Sequence, residues 1–307
     1  MTAIPQRLLG KTGVMVSCLG LGGYHLGDTR TKREAIRIIQ EAVDHGITFM
    51  DNAWEYHDGI SEQWMGEALK GRRDRVFLMT KVCTHGRDKK VALKQLDESL
   101  RRLKTDHLDL WQIHEVIYDN DPDLHFSPGN AVEALEEAKR QGKIRFTGFT
   151  GHKHPEILLK MLSYQYPFDA CQFPLSCFDA SFRSFEQRVL PELIARGIAP
   201  IGMKSLGGDG DAIKKRAVTA TDALRYAMSL PVATTVSGID SLKILRQNVR
   251  IADDFQVLSG SEMNRIRQQC LNLAADGRFE LYKTSKTHDG PPGRKQHGFP
   301  SEKDLPL

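Results

Sequence analysis

Apolar strand-like runs alternate with helix-period segments along almost the whole chain, and no other feature constrains the fold as tightly. The strand candidates are 18–21, 48–51, 76–81, 108–114, 144–150, 170–173, 199–203 and 234–237, eight in all. Between them, Ile36, Ile39, Ala42 and Val43 share one helical face. So do Leu93, Leu96, Leu100 and Leu103, and again Leu242, Leu245, Val249 and Ala252. Apolar residues at that spacing are core faces. Thr31 and Glu34 have the spacing of a capping box, and Gly46 closes the helix they open; Gly71, Gly142 and Gly197 follow three more helices where a left-handed residue is wanted. Parallel strands need a crossover, and a helix after each strand supplies one. Eight such units in 307 residues predict an α/β fold, a single (β/α)8 TIM barrel. An extra amphipathic helix is expected over 259–276. Beyond Lys283 the chain turns polar and rich in Pro and Gly, with Asp289-Gly290-Pro291-Pro292-Gly293. The expected division is a barrel over 1–283 and a polar C-terminal tail over 284–307, the tail being either disordered or a strap across the barrel mouth.

Charge and cysteine usage narrow the class. Basic and acidic residues are interleaved, and the formal charge is only +4. That balance suits an anionic cofactor and gives no reason to invoke nucleic acid. Five cysteines, Cys18, Cys83, Cys171, Cys177 and Cys270, form no C-x-x-C pair and read as reduced, buried thiols. The first residues lack an apolar signal core, and nowhere is there an apolar run of about 18 residues. The expectation is a cytoplasmic protein that needs no membrane, with its oligomeric state open.

Asp51, Tyr56, Lys81 and His114 lie at the ends of three successive predicted strands. In a parallel barrel those ends converge on one face, where such folds keep their active sites. A free phenol is a sluggish acid at neutral pH. An ammonium beside it favours the phenolate, and a carboxylate behind the lysine keeps that ammonium charged and pointed. His114 would orient the group that accepts the proton. The set suits a carbonyl whose oxygen gains negative charge while its carbon receives a hydride. Singly, each has a plain structural role: a strand cap, an ion pair, a half-buried ring.

Two glycine-rich turns add to the pattern. Gly20-Leu21-Gly22-Gly23 lacks Rossmann spacing, since His25 stands at the third glycine position, and reads as close backbone approach to a ligand. Lys204, Ser205 and Leu206 lead into Gly207-Gly208-Asp209-Gly210, where small residues and exposed N–H groups would let a pyrophosphate lie close.

Taken in order, the segments 7–13, 20–23, 51–56, 78–82, 109–114 and 142–150 resemble the aldo-keto reductase family over nearly the whole chain. The resemblance implies a hairpin, around 7–9 and 15–17, plugging the barrel bottom. It implies an NAD(P)H-dependent enzyme acting on CH–OH groups, reversibly reducing a small-molecule aldehyde or ketone. Tyr56 would be the general acid and base, Lys81 would depress its pKa, Asp51 would hold Lys81, and His114 would orient the carbonyl. It places Tyr24, His25 and Trp54 beside the substrate. Gly22, Gly23, Asp51, Thr150, Gly151, Gln172, Met203, Lys204, Ser205, Leu206, Gly207, Gly208, Ser237, Gly238, Gln247 and Asn248 would bind the cofactor, with Gln247 and Asn248 meeting the adenine.

The sequence departs from the family in two places. Met203 stands where an aromatic often stacks on the nicotinamide, and a thioether can replace that ring. After the eighth strand, where many relatives carry Lys and Arg for the adenosine-ribose phosphate, the chain reads Ser237-Gly238-Ile239-Asp240-Ser241-Leu242-Lys243. The family norm favours NADP(H) over NAD(H), and this loop weakens the preference. Another reading keeps the barrel but makes it a cofactor-binding regulatory subunit with little turnover. A metal-dependent hydrolase is the third. His152 and His154 invite it, but the first strand offers no ligand, so no metal is expected.

Overall fold

The computed structural model of the protein describes residues 4–83, 88–253, 255–286, 288–290 and 301. The chain opens with an antiparallel hairpin of β1 (Gln6–Leu8) and β2 (Met15–Ser17). Eight strands follow: β3 (Leu19–Gly22), β4 (Phe49–Asp51), β5 (Phe77–Val82), β6 (Leu108–Ile113), β7 (Ile144–Thr150), β8 (Ala170–Pro174), β9 (Ala199–Met203) and β10 (Thr234–Gly238). They form a closed parallel barrel in which β10 returns to pair with β3. The predicted (β/α)8 architecture is therefore the observed one, and each strand lies within a residue or two of its expected span.

The two-residue strand period explains how the interior is built. Phe49, Met79, Leu110, Ala170 and Ile201 pack into one buried cluster with Leu9 and Val16 of the hairpin. Two residues further along β4, β5, β6 and β8 stand Asp51, Lys81, Gln112 and Gln172, all buried. An apolar layer thus supports a polar layer at the C-terminal ends of the strands. The other face of each strand packs on the helices; Ile38, Ile39, Ala42 and Val43 of the helix Lys32–Asp44 belong to that second cluster.

The hairpin closes the opposite end. Arg7 donates to the carbonyls of Met228 at 2.7 Å and Val232 at 3.0 Å. Ser17 and Thr48 exchange backbone-to-hydroxyl bonds of 2.8 and 2.9 Å. Gly10 has φ +54°, and a Cβ there would stand 2.8 Å from Ala199 N, so only glycine fits.

The extra helix spans Gly260–Ala274 and starts with a complete capping box from Ser259 and Glu262. A short helix, Leu281–Thr284, buries Lys283 between Asp179 at 2.6 Å and Glu280 at 2.7 Å. Asp289 then packs on the barrel, buried with its carboxylate 2.6 Å from Lys153. Pro291, Pro292 and Gly293 lie outside the described residues. Among the described residues, no helix is long and apolar enough to cross a membrane.

Candidate active site

Asp51 ends β4 and Lys81 sits near the end of β5, so the barrel aims both into its mouth. Lys81 Nζ donates to Asp51 Oδ1 at 2.5 Å, to the Asn52 carbonyl at 2.7 Å and to Tyr56 Oη at 3.4 Å. One ammonium thus joins the carboxylate to the phenol. Gln172 Nε2 donates to the same Asp51 oxygen at 3.2 Å, tying β8 to β4 across the barrel. Tyr56 begins a tight turn in which His57 and Asp58 adopt left-handed backbone conformations. That turn brings the Tyr56 ring edge-on to His114, with centroids 5.6 Å apart. The four residues singled out from sequence are therefore brought together.

Their electrostatics differ from the sequence expectation in one respect. Burial, with Asp51, Glu55 and Glu115 adding to it, pushes the Tyr56 phenol well above its ordinary range. The expected net depression by Lys81 is absent, because that ammonium is shared with Asp51 and Asn52 and stands farthest from the phenol. A protonated Tyr56 is a hydrogen-bond donor at neutral pH. His114 Nδ1 is bonded to Glu55 Oε1. Burial pulls the His114 imidazole down, with Glu55 opposing. Burial alone would raise Glu55, but the imidazole beside it holds its carboxyl below the usual range. Glu55 was not singled out in the sequence. The available signal was an acid adjacent to Tyr56 in a turn that had to be buried.

The loop after β3 contributes Tyr24 and His25. Tyr24 is half exposed and stands edge-on to Tyr56 at 5.3 Å between centroids. His25 reaches across to the loop after β10, where a Cβ on Gly238 would lie 2.1 Å from its Nδ1. Trp54, expected as a pocket wall, is nearly buried and held by a neighbouring helix. Its Nε1 donates to Glu98 at 2.8 Å, and Arg102 lies over its ring at 5.5 Å, both from the helix Lys89–Leu103. Gly23 approaches the neighbouring strand closely: a Cβ there would sit 2.5 Å from Asp51 O. Gly22 meets Ser237 O at 3.0 Å in the same sense.

The residues expected to hold a dinucleotide ring the same mouth. Thr150 and Gln172 are buried register partners, and Gly151 N donates to Gln172 O at 3.2 Å. Among the described residues, Gln172 Oε1 is a buried acceptor without a hydrogen-bond partner, as is Asn248 Oδ1. Asn248 Nδ2 donates to Ser237 Oγ at 3.1 Å. Two unfilled buried acceptors suit the amide and amine donors of a nicotinamide dinucleotide. Beyond Met203, Lys204 is pulled down by burial and lies 5.5 Å over the Tyr282 ring. Ser205 is buried and Leu206 packs on the core; Gly207 and Gly208 then take φ of +84° and +89°, conformations open to glycine. Gln247, the residue before Asn248, is half-buried. It lines an outer groove of about 520 Å³ with Arg225, Arg250 and Phe255. Neighbouring helix positions differ by about 100°, so one faces in and the other out.

Residues 18–218 match the Aldo/keto reductase family. The chain is 29% identical to the 6-dehydroglucose reductase of Novosphingobium aromaticivorans over 253 residues, 76% of this chain and 80% of that protein. It superposes on the holo form of an aldo-keto reductase from Bacillus halodurans with a TM-score of 0.73 and 25% identity, covering 88% of this chain and 96% of the other. A Klebsiella pneumoniae aldo-keto reductase solved with NADP and acetate shares the fold, with a TM-score of 0.69 and 22% identity over 88% of this chain and 95% of its own.

Proposed function

Because this chain belongs to the aldo/keto reductase family, whose members are NAD(P)H-dependent oxidoreductases, we propose that it interconverts an aldehyde or ketone with its alcohol, using NADP(H). The observation that carries the reading is the single ammonium of Lys81 bonded to both Asp51 and Tyr56 at the barrel mouth. The nicotinamide supplies or takes up the hydride. Tyr56 Oη hands its proton to the carbonyl oxygen during reduction and recovers one from the alcohol during oxidation. As it does so its oxygen becomes anionic, and Lys81 is within reach to stabilise that charge. Asp51 holds the ammonium in place. His114, edge-on to Tyr56, flanks the reacting oxygen. Gln172 Oε1 would accept from the nicotinamide amide and Asn248 Oδ1 from the adenine amine. The glycine-rich turn after β9 and Lys204 would hold the pyrophosphate. The substrate is a small carbonyl compound entering past Tyr24.

NADP(H) is favoured by the family and by the NADP found in the Klebsiella structure. Asp240 and the lack of a cation at Ser237, Gly238 and Ser241 temper that preference.

The test is loss of absorbance from reduced nicotinamide with a panel of aldehydes. Tyr56→Phe keeps the ring and removes the proton, so turnover should fall by about 10² or more. Cofactor affinity, read by fluorescence quenching, should hardly change. Near-normal turnover in that variant would remove Tyr56 from the mechanism.

A further inference from the structure

Glu55 sits where a carboxylate is expensive. Only 4% of the residue is exposed, and its Oε1 is committed to His114. Its Oε2 is buried with no hydrogen-bond partner among the described residues. An orphaned buried oxygen has lost its hydrogen bonds to water and gained none in return. Stability is therefore a poor reason for an acid at this position, and its side-chain partner among the described residues is the imidazole that flanks the proposed proton donor.

An ionised carboxylate can only accept a hydrogen bond, so the bonded nitrogen of His114 must carry the proton. A neutral imidazole has one N–H. With that proton fixed at Nδ1, Nε2 is left with a lone pair and cannot donate to a carbonyl oxygen. It can accept from an alcohol or a phenol. Donation from Nε2 requires the imidazolium. Resting on the reductase reading above, we propose that Glu55 is a positioning residue that locks the Nδ1 proton on His114, so that Nε2 is an acceptor when the ring is neutral and a donor to the carbonyl only once protonated. His114 would then serve the two directions in different charge states: the imidazolium holds the carbonyl oxygen in reduction, and the neutral ring receives the alcohol hydroxyl in oxidation.

The charge state answers to a defined set of neighbours. Glu55 and Asp51, from β4 and the turn after it, favour the imidazolium, and Lys81 from β5 opposes it. Tyr56 lies edge-on to the ring, and Glu115 follows directly in the chain. Of these, Glu55 alone makes a hydrogen bond to the imidazole among the described residues, so neutralising it changes both tautomer and proton affinity.

The experiment pairs kinetics with a readout that needs no turnover. In the full-length protein, kcat/KM for NADPH-driven reduction of 4-nitrobenzaldehyde is followed from pH 5 to 9 for the wild type and Glu55→Gln. The imidazole ¹⁵N shifts of His114 are recorded over the same range and assigned with His114→Gln. The wild type should show a protonated Nδ1 and a bare Nε2 above the titration midpoint. Glu55→Gln should move that midpoint acidward by at least one unit, with the alkaline limb of reduction falling about tenfold for each unit. A wild-type ring protonated at Nε2 would overturn the proposal, as would superimposable pH profiles in the two proteins. A bare Nε2 in a wild type that reduces no carbonyl would keep the Glu55–His114 pairing and sink the reductase reading instead.

Discussion

Replacing Lys81 with Met should separate what the buried ion pair does for stability from what it does for turnover. Lys81 is 1% exposed and Asp51 3%. Methionine retains the aliphatic stem but removes the hydrogen bonds to Asp51, Asn52 O and Tyr56. Among the described residues, Asp51 Oδ1 would keep only the 3.2 Å bond from Gln172. Removing one partner of a buried pair costs about 3–5 kcal/mol, chiefly because the other charge is stranded. At the usual unfolding entropy per residue, that is roughly 5–8 °C in Tm for a chain of 307 residues. Adding Asp51→Asn removes the stranded charge, so the double variant should recover to within about 1 kcal/mol of wild type. Turnover should not recover, because the phenolate formed during reaction has lost its ammonium. Urea unfolding at one pH gives the two stabilities, and the nicotinamide assay gives the rates. A double variant as unstable as Lys81→Met would show that the stranded charge is not the cost. Wild-type turnover in the double variant would show that Lys81 takes no part in the chemistry.

Cofactor choice is read as the ratio of kcat/KM for NADPH and NADH with one aldehyde. It should favour NADPH by less than about three decades, ~4 kcal/mol, and Lys243→Ala should erode it; a larger ratio would mean an unseen phosphate clamp, and a preference for NADH would assign the choice to Asp240. Acid stability should depend on His152, whose buried imidazole is held down at about 3. The unfolded chain takes up this proton near pH 6.5 and the folded one does not, so stability is complete above pH 6.5 and is lost as pH falls toward 3. Wild type should lose about 2 kcal/mol more than His152→Gln between pH 7 and pH 5, and coincident pH dependences would refute a buried neutral ring.

Strand ends were legible because a two-residue period and flanking turns fix them locally. Asp51, Lys81 and His114 therefore fall on one face by sequence position alone. Helix starts were nearly as clear: Thr31 accepts from Glu34 N, although Ser259 and Glu262 form the complete box. Glu55 and Trp54 were harder because they occupy a turn with two left-handed residues, where periodicity says nothing about direction. The weakened acidity of Tyr56 comes from burial together with carboxylates in different parts of the chain, Asp51, Glu55 and Glu115, and no local pattern carries it. The helix Asp121–Phe126, in a segment without an apolar stripe, forms where Asp121 Oδ2 accepts from the backbone N–H groups of Ile117 and Tyr118.

The stopper at the base of the barrel sets a timetable for synthesis. Arg7 finds its carbonyl partners only at Met228 and Val232, and β3 finds its last neighbour only in β10. A ribosome adding about 5–20 residues each second needs roughly 10–45 s to cover that separation. Throughout that interval Leu9 and Val16 have no finished interior to enter. The nascent chain therefore carries an uncovered apolar hairpin until β10 emerges. Ring closure and stoppering are then one event, and a chain cut short before β10 would expose both the hairpin and an unpaired strand edge to whatever lies nearby.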